Sequence, residues 1–341
     1  MSEPLHNMRA GFGRGLIAAA AKDPRVVALA ADLAGSCGLT DFIKKFPNRF
    51  VEVGIAEQNL VGLASGMAAA GLIPFAASYA AFSPGRNWEQ IRTMICLNDR
   101  PVKLIGSHAG LNVGADGATH QMLEDIALMR VLPNMKVFAP ADAVEAAVVT
   151  QAMARDPAPN YVRLARDYRH DVFDENYGDF QIGKARILRG GDDITLASTG
   201  TTTALALEAA DILKKQNISA EVIHFATIKP LDTGALLKSV SKTRHIISIE
   251  EHQIAGGFGG AVAEVLAQEF WQAFLPAAQK FAVDNKTRHS DAQVEGSSQS
   301  FRLKIIGVDD KFGQSGTLEN LWEFYGLSAD NVAAAAKELL S

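Results

Sequence analysis

Short apolar segments alternate with helix-like segments along the first half of the chain. The apolar segments, which we interpret as strands, lie at residues 25–31, 102–105, 136–139 and 161–164. The helix-like segments lie at residues 11–21, 58–70, 88–96, 123–131 and 143–154. Alternation of strands with helices is typical of crossover connections, so this pattern predicts an open, largely parallel α/β sheet.

The second half repeats the alternation after a change in composition. Residues 167–191 are rich in Tyr, Asp, Asn and Gly, which is typical of a connection between domains. Strands are predicted at residues 193–199, 220–224 and 245–250, and helices at 204–216, 233–240 and 256–268. We therefore predict two α/β domains, at 1–175 and 190–341, each a mainly parallel sheet flanked by helices. The polar segment 281–300 is expected to be a surface insertion or a flexible loop.

Composition narrows the class of protein. The 341 residues are 48% apolar, which is typical of a globular protein. The formal net charge is −5, so the chain lacks the excess of positive charge that attracts nucleic acid or a membrane surface. The polar N-terminus indicates no signal peptide, and no apolar segment is long enough to predict a membrane span. Cys37 and Cys96 lack metal or disulfide spacing. We expect both to be inert core residues of a cytoplasmic protein.

The first candidate for chemistry is Glu57. It lies in the string Gly-Ile-Ala-Glu-Gln-Asn at residues 54–59, between an extended segment and a helix rich in small residues. A carboxylate is rarely buried without a partner, so this position is a poor choice for packing. It is a good position for a group that holds or exchanges a proton at the mouth of an α/β sheet.

A glycine-rich loop at residues 107–121 is the second candidate. It follows a predicted strand and holds His108, Asp116 and His120. The carboxyl ends of parallel strands are where α/β sheets bind ligands. A metal site is one interpretation, but no tight pair of His or Cys ligands supports it. Imidazoles that hydrogen-bond a polyhydroxy substrate or move its protons fit the loop better.

Three further features each allow a structural and a functional interpretation. Tyr79 and Phe82 are either core aromatics or a stacking face for a flat heterocycle. Arg166, after a predicted strand, is either an isolated surface residue or an anion clamp. Glycines at residues 256–260 either cradle a phosphate or serve a tight turn and close packing of a helix on the sheet.

Taken together, these strings resemble the thiamine-diphosphate-dependent transketolase family over nearly the whole chain. The resemblance covers the pyrimidine-binding domain of that family, followed by its C-terminal domain. The strings that carry it are at residues 31–36, 53–59, 106–121, 124–130, 133–134, 140–142, 250–252 and 256–260.

The resemblance implies a role for each matching residue. Glu57 matches the catalytic glutamate, which hydrogen-bonds a ring nitrogen of the cofactor's aminopyrimidine. The positions that match the rest of the cofactor site are Asp32, Ile55, Tyr79 and Phe82, with Phe82 as the aromatic that stacks on the pyrimidine. The positions that match the substrate site are Arg9, Ser36, His108, Asp116, His120 and Arg166.

Within that set, the three loop residues match contacts to sugar hydroxyls, and both histidines are also implied in catalysis. Arg9, Ser36 and Arg166 match the positions that hold a phosphate. A further family aromatic is replaced here by Gly85.

The family's diphosphate and metal motif, Gly-Asp-Gly followed by a downstream Asn, does not occur in this chain. The resemblance therefore implies the C-terminal subunit of a two-chain transketolase. Its partner would be the N-terminal subunit, which holds thiamine diphosphate through Mg²⁺, in an assembly with two copies of each chain. Its substrates would be sugar phosphates.

Three other functions remain open at this stage. The beta chain of a 2-oxoacid dehydrogenase shares the domain order but does not need the sugar-facing residues. A 1-deoxyxylulose-phosphate synthase normally occupies one long chain. A non-catalytic regulatory subunit would not need Glu57.

Overall fold

A computed structural model describes residues 7–168, 170–269 and 301–341. Two sheets form within these residues. Their strands are β1 Val26–Ala30, β2 Phe50–Glu52, β3 Ile73–Tyr79, β4 Lys103–Ser107, β5 Lys136–Phe138, β6 Asn160–Leu164, β7 Arg186–Arg189, β8 Ile194–Ser198, β9 Ala220–His224, β10 Thr227–Lys229, β11 His245–Gln253 and β12 Arg302–Val308.

The helices pack on the faces of these sheets. They are α1 Met8–Lys22, α2 Thr40–Lys45, α3 Glu57–Ala69, α4 Trp88–Gln90, α5 Asp125–Arg130, α6 Ala143–Arg155, α7 Thr202–Lys214, α8 Thr233–Thr243, α9 at residues 258–269, α10 Leu318–Phe324 and α11 Ala329–Leu340. Short 3₁₀ turns lie at Pro47–Arg49 and Leu111–Asp116, and α4 continues into a π-helical segment at Ile91–Cys96.

The first sheet has seven strands in the order β10-β5-β6-β4-β3-β1-β2. All its neighbouring strands are parallel except β10, which pairs antiparallel with β5 through Thr227 and Phe138. The second sheet has five strands in the order β12-β11-β8-β9-β7, and only its edge strand β7 is antiparallel. The predicted α/β fold with two largely parallel sheets is confirmed.

β10 lies in the second half of the chain, yet it completes the edge of the first sheet. The two halves are therefore joined by backbone pairing as well as by the connecting segment. The predicted domain limits, 1–175 and 190–341, stay a prediction. The segment 281–300, expected to be an insertion, lies outside the described residues.

Close packing of α1 against α6 positions the start of α1. A Cβ added at Gly11 would lie 2.0 Å from the carbonyl oxygen of Ala143, and one at Gly15 would lie 2.4 Å from that of Ala147. Glycine is therefore needed where the two helix backbones meet. The crossing holds the first turn of α1, which carries Arg9, near the carboxyl ends of the central strands.

No helix among the described residues combines the length and the apolar character needed to cross a membrane. Both cysteines are buried, as expected. Burial raises the pKa of the Cys37 thiol to about 12 and that of Cys96 to about 12, so both are protonated at neutral pH.

Candidate active site

Glu57 is the first residue of α3 and lies at the carboxyl edge of the first sheet. Its side chain is 2% exposed. Its Oε2 accepts a hydrogen bond from Nη1 of Arg86 at 2.7 Å. Nδ2 of Asn87 donates to the Glu57 carbonyl oxygen at 2.9 Å and to the Ser83 hydroxyl at 3.2 Å. The loop that follows β3 therefore fixes both the backbone and the side chain of Glu57.

Four rings form a continuous wall beside this loop. Tyr79 and Phe82 lie nearly parallel, with ring centroids 5.9 Å apart and an interplanar angle of 12°. His108 stacks on Tyr79 at 3.8 Å, and His120 meets the Phe82 ring edge-on at 5.4 Å. The Arg86 guanidinium lies 5.0 Å from the Phe82 centroid, so it connects the wall to Glu57.

His108, one of the four rings, is buried and lies near the guanidinium groups of Arg9 and Arg166. Burial lowers the pKa of its imidazole to about 3, and Arg9, Arg166 and His120 act in the same direction. The Ser107 hydroxyl lies 2.8 Å from its Nδ1. Since the pKa is far below neutral, the ring is uncharged at physiological pH and is suited to hydrogen bonding rather than to charge pairing.

The loop after β4 carries the other predicted substrate residues. Asp116 is 42% exposed on this loop, and the Thr119 hydroxyl lies 2.9 Å from Nδ1 of His120. Arg166 donates from Nη1 to the Val113 carbonyl at 3.0 Å, and the same atom is 4.0 Å from Asp116. Arg166 therefore both faces the loop and helps to fix it.

Arg9 and Ser36 border an open cleft of about 250 Å³. Nη1 of Arg9 donates to the Ser36 carbonyl at 3.0 Å. Its Nη2 is 4.0 Å from Asp167, and Arg166 also approaches Asp167, at 3.4 Å. The two predicted phosphate-binding arginines therefore lie on either side of one carboxylate.

The remaining predicted cofactor residues lie on the loops after β1 and β2. Asp32 has a φ of 59°, and its backbone N–H donates to Oε1 of Glu52 at 2.7 Å. The N–H of Gly54 donates to the same oxygen at 2.9 Å. Glu52 thus holds the two loops together just before α3. Ile55, on the second loop, is 74% exposed.

The structure brings the aromatic and imidazole residues into direct contact and links them to Glu57 through Arg86. Sequence reasoning missed Arg86, Asn87 and Glu52. For the first two, the one signal in the sequence was their position immediately after the Phe82 loop. For Glu52, no local pattern indicates that its carboxylate accepts from the backbone N–H of Asp32, twenty residues earlier, as well as from that of Gly54.

Two alternative sites lose support. Among the described residues, no group of three His, Cys, Asp or Glu side chains is placed to hold a metal ion. At residues 256–260, the N–H groups of Phe258 and Gly259 donate to Glu250, at 2.6 and 2.8 Å. The start of α9 is therefore occupied by a carboxylate of the protein itself. A Cβ at Gly257 would lie 2.1 Å from that carboxylate, which favours the close-packing interpretation.

Comparison with known proteins decides the family. The model of the transketolase pyrimidine-binding domain matches residues 6–169, and that of the transketolase C-terminal domain matches residues 183–298. A "Putative transketolase C-terminal section" of Methanocaldococcus jannaschii is 40% identical, over 99% of this chain and 98% of that protein. This chain belongs to the transketolase family.

Other transketolase relatives match the chain along its length. A 6-deoxy-6-sulfo-D-fructose transketolase subunit of Clostridium sp. is 36% identical, over 95% of this chain and 91% of that protein. One subunit of an apulose-4-phosphate transketolase of Phocaeicola vulgatus is 32% identical, over 100% of this chain and 99% of that protein. Among solved structures, a split-gene transketolase described as an inactive β4 tetramer superposes with a TM-score of 0.84 at 39% identity, covering 98% of each chain.

These matches confirm the prediction that the chain is the C-terminal section of a split transketolase. A 1-deoxy-D-xylulose-5-phosphate synthase of Heliobacterium modesticaldum is 34% identical, but this chain spans only 46% of its length. None of these relatives favours the beta chain of a 2-oxoacid dehydrogenase. The relatives imply dependence on thiamine diphosphate.

Proposed function

We propose that this chain is the pyrimidine-binding and C-terminal subunit of a two-chain transketolase that transfers a two-carbon ketol unit between sugar phosphates. The observation that carries the proposal is the buried Glu57 carboxylate beside the ring wall of Tyr79, Phe82, His108 and His120. A buried acid next to stacked rings suits a flat, basic heterocycle, and imidazoles at the sheet edge suit a polyhydroxy substrate.

The described residues fit one half of thiamine diphosphate. Glu57 would hold a proton at a pyrimidine nitrogen, Phe82 and Tyr79 would pack on the ring, and Ile55 and Asp32 would flank it. When bound, this cofactor supplies the electron sink that allows a carbon–carbon bond beside a ketose carbonyl to break. Mg²⁺ requires near-octahedral oxygen ligands, and the described residues offer no acidic cluster of that kind. The partner subunit would therefore hold the diphosphate and the metal.

The substrate residues divide into two sets. His108, uncharged because of its burial, would hydrogen-bond sugar hydroxyls together with His120 and Asp116. Arg9 and Arg166, with Ser36, would hold the phosphate. Guanidinium groups suit this task because they form charge-assisted, bidentate hydrogen bonds with phosphate.

The partner is the N-terminal transketolase subunit that carries the diphosphate-binding domain, in a complex with two copies of each chain. Exposed apolar side chains on or next to α3 supply a surface for it. Ile55 is 74% exposed, Leu63 is 38% exposed, Met94 is 42% exposed and Leu97 is 77% exposed. Exposed apolar patches mark partner surfaces. We place the complex in the cytoplasm.

The activity is tested on the reconstituted complex with Mg²⁺ and thiamine diphosphate. We expect transfer of a ketol unit from a ketose phosphate to an aldose phosphate, measured by a coupled assay over pentose, branched and sulfonated sugars. We expect no CO₂ release from pyruvate or branched 2-oxoacids. Release of CO₂ from those acids would favour a dehydrogenase beta chain. Formation of 1-deoxyxylulose 5-phosphate from pyruvate and glyceraldehyde phosphate would favour the synthase.

Replacing Arg166 with alanine tests the phosphate site. Losing a charge-assisted pair to phosphate costs about 1.5–3 kcal/mol, so we expect KM for phosphorylated sugars to rise by about 10- to 100-fold while affinity for thiamine diphosphate is unchanged. Arg155→Ala, which removes an exposed arginine at the end of α6, is the matched control and leaves KM unchanged. An unchanged kcat/KM for every phosphorylated sugar tried would remove Arg166 from the site.

A further inference from the structure

The side chain of Glu251, a residue of β11 in the second sheet, reaches the loop at residues 107–121. This loop follows β4 of the first sheet, and we call it the substrate loop. The Glu251 side chain is 4% exposed. Its Oε1 accepts from the backbone N–H of Asn112 at 2.9 Å and from Nε1 of Trp322 at 3.0 Å. Its Oε2 accepts from Nδ2 of Asn112 at 3.0 Å and from the Thr201 hydroxyl at 3.3 Å. Two of the four donors thus belong to one residue of the substrate loop.

Asn112 also bonds to the two segments that carry predicted substrate residues. Its Nδ2 also donates to the carbonyl oxygen of Ala109 at 2.5 Å, directly after His108. Its Oδ1 accepts the backbone N–H of Arg166 at 2.6 Å. One amide side chain therefore ties together the segment that carries His108 and the segment that carries Arg166, and the Glu251 carboxylate holds that amide in place.

The backbone of the loop is built around this carboxylate. Gly110 has a φ of 93°, and a Cβ there would lie 2.7 Å from Cδ of Glu251. From β6, Nη1 of Arg163 donates to the Glu251 carbonyl oxygen at 2.9 Å. Burial raises the pKa of Glu251, while Arg163, Trp322 and Asn112 act against that rise. The donors and the guanidinium offset the cost of desolvating a carboxylate at this position.

We propose that Glu251 is a positioning residue for the sugar-phosphate site, acting through Asn112 to hold His108 and Arg166 in their relative positions. The inference rests on the proposed function, because it assigns the loop to the sugar phosphate. It gives the C-terminal half of the chain a part in substrate binding. It does not make Glu251 a catalytic residue, since its carboxylate bonds to Asn112, Thr201 and Trp322 and not to the wall formed by Tyr79, Phe82, His108 and His120.

Glutamine is the informative replacement because it keeps the shape and removes acceptor capacity. Its Nε2 would face a donor, either Nδ2 of Asn112 or the indole N–H of Trp322, where the carboxylate now accepts. A buried donor left unpaired is costly, because it has lost its hydrogen bond to water and gains none in return. The loop can relieve that cost by moving, and the movement would displace the segment after His108 and the backbone of Arg166.

In the complex with its partner chain, we expect Glu251→Gln to raise KM for sugar phosphates about 10-fold or more while kcat changes less. Affinity for thiamine diphosphate and the rate of C2 hydrogen exchange of the bound cofactor stay at their wild-type values, because Glu57 and Arg86 lie outside the network. Asn112→Ala removes the loop side of the same hydrogen bonds. Because both changes break one set of bonds, we expect the double variant to raise KM by much less than the two single effects combined. If Glu251→Gln does not fold, Asn112→Ala still tests the proposal.

The matched control is Glu221→Gln, a buried carboxylate of the same sheet that pairs with Ser239 and Lys242. It should lower thermal stability and leave KM unchanged. An equal rise of KM in Glu221→Gln, a wild-type KM in Glu251→Gln, or additive effects in the double variant would overturn the proposal.

Amide hydrogen exchange by mass spectrometry separates this inference from the proposed function. Peptides covering residues 107–121 are expected to exchange faster in Glu251→Gln than in the wild type or in Glu221→Gln, whichever substrate the enzyme uses. If the wild-type complex transfers no ketol unit but this difference appears, the proposed function fails and the positioning role stands. Unchanged exchange of the loop would overturn the positioning role.

Discussion

Replacing Glu57 with glutamine is expected to slow C2 hydrogen exchange of bound thiamine diphosphate by about 10²–10⁴-fold, the usual range for loss of a general acid or base. Glutamine keeps the size of the side chain and an oxygen that can accept from Arg86. It cannot hold or release a proton at a ring nitrogen. The expected loss therefore comes from chemistry and not from packing.

The exchange rate is measured by NMR on the complex with Mg²⁺, after quenching the reaction in acid. Asp330→Asn is the matched control, because it makes the same acid-to-amide change in the first turn of another helix, α11, at an exposed position. We expect that variant to exchange at the wild-type rate. Thermal unfolding of both variants shows whether any loss reflects the fold.

Exchange as fast as in the wild type would remove Glu57 from the cofactor site. If the complex with Glu57→Gln transferred ketol units at the wild-type rate, this chain would have a non-catalytic role in the complex. Slow exchange with unchanged cofactor affinity would assign Glu57 the proton-transfer role, since Phe82 and Tyr79 would still bind the ring.

Local pattern was enough to predict most of the regular elements. The apolar segments at 25–31 and 161–164 became β1 and β6, and the helical periods at 143–154 and 58–70 became α6 and α3 within one or two residues. β3 was missed because Pro74 and a run of small residues do not resemble a strand, although it pairs with a strand on each side and every residue except Tyr79 is buried. Segment 88–96 was predicted as one helix but turns from α4 into a π-helical segment.

Three of the four edge strands, β7, β10 and β12, were missed for a different reason. β10 is three residues long, and only its antiparallel pairing with β5 makes it a strand. β7 has no fully buried residue, and the polar–apolar alternation of β12 covers only its first four residues before Ile306 follows Ile305 directly. Such elements are formed by contacts with distant parts of the chain, and a local pattern carries little of that information.

The residues of the candidate site divide in the same way, into those that a local pattern indicates and those that only distant contacts bring together. Glu57 could be singled out because it begins a helix just after a strand, and His108 and His120 because they lie on the glycine-rich loop that follows β4. Glu251 and Asn112 could not, because their bonds join residues 139 positions apart in the chain. The assignment of individual roles came from the resemblance to transketolases, and these roles stay predictions until the variants are measured.

Surface variants locate where the partner binds. Leu63→Asp places a charge on the exposed side of α3, and we expect it to weaken association with the N-terminal subunit, measured by analytical ultracentrifugation. Ile187→Asp makes the same change on β7 of the second sheet, where Ile187 is 54% exposed, and is expected to leave association unchanged. Equal behaviour of the two variants would place the partner elsewhere.

The chain purified alone is expected to bind thiamine diphosphate weakly and to show no ketol transfer. It offers an acid and aromatic rings for the pyrimidine, but within the described residues it has no ligand cluster for a metal-bridged diphosphate. Addition of the N-terminal subunit and Mg²⁺ should restore both tight binding, measured by calorimetry, and activity, with the N-terminal subunit alone as the control. Because a site divided between two chains cannot work from one half, full ketol transfer by this chain alone would overturn the split-subunit assignment.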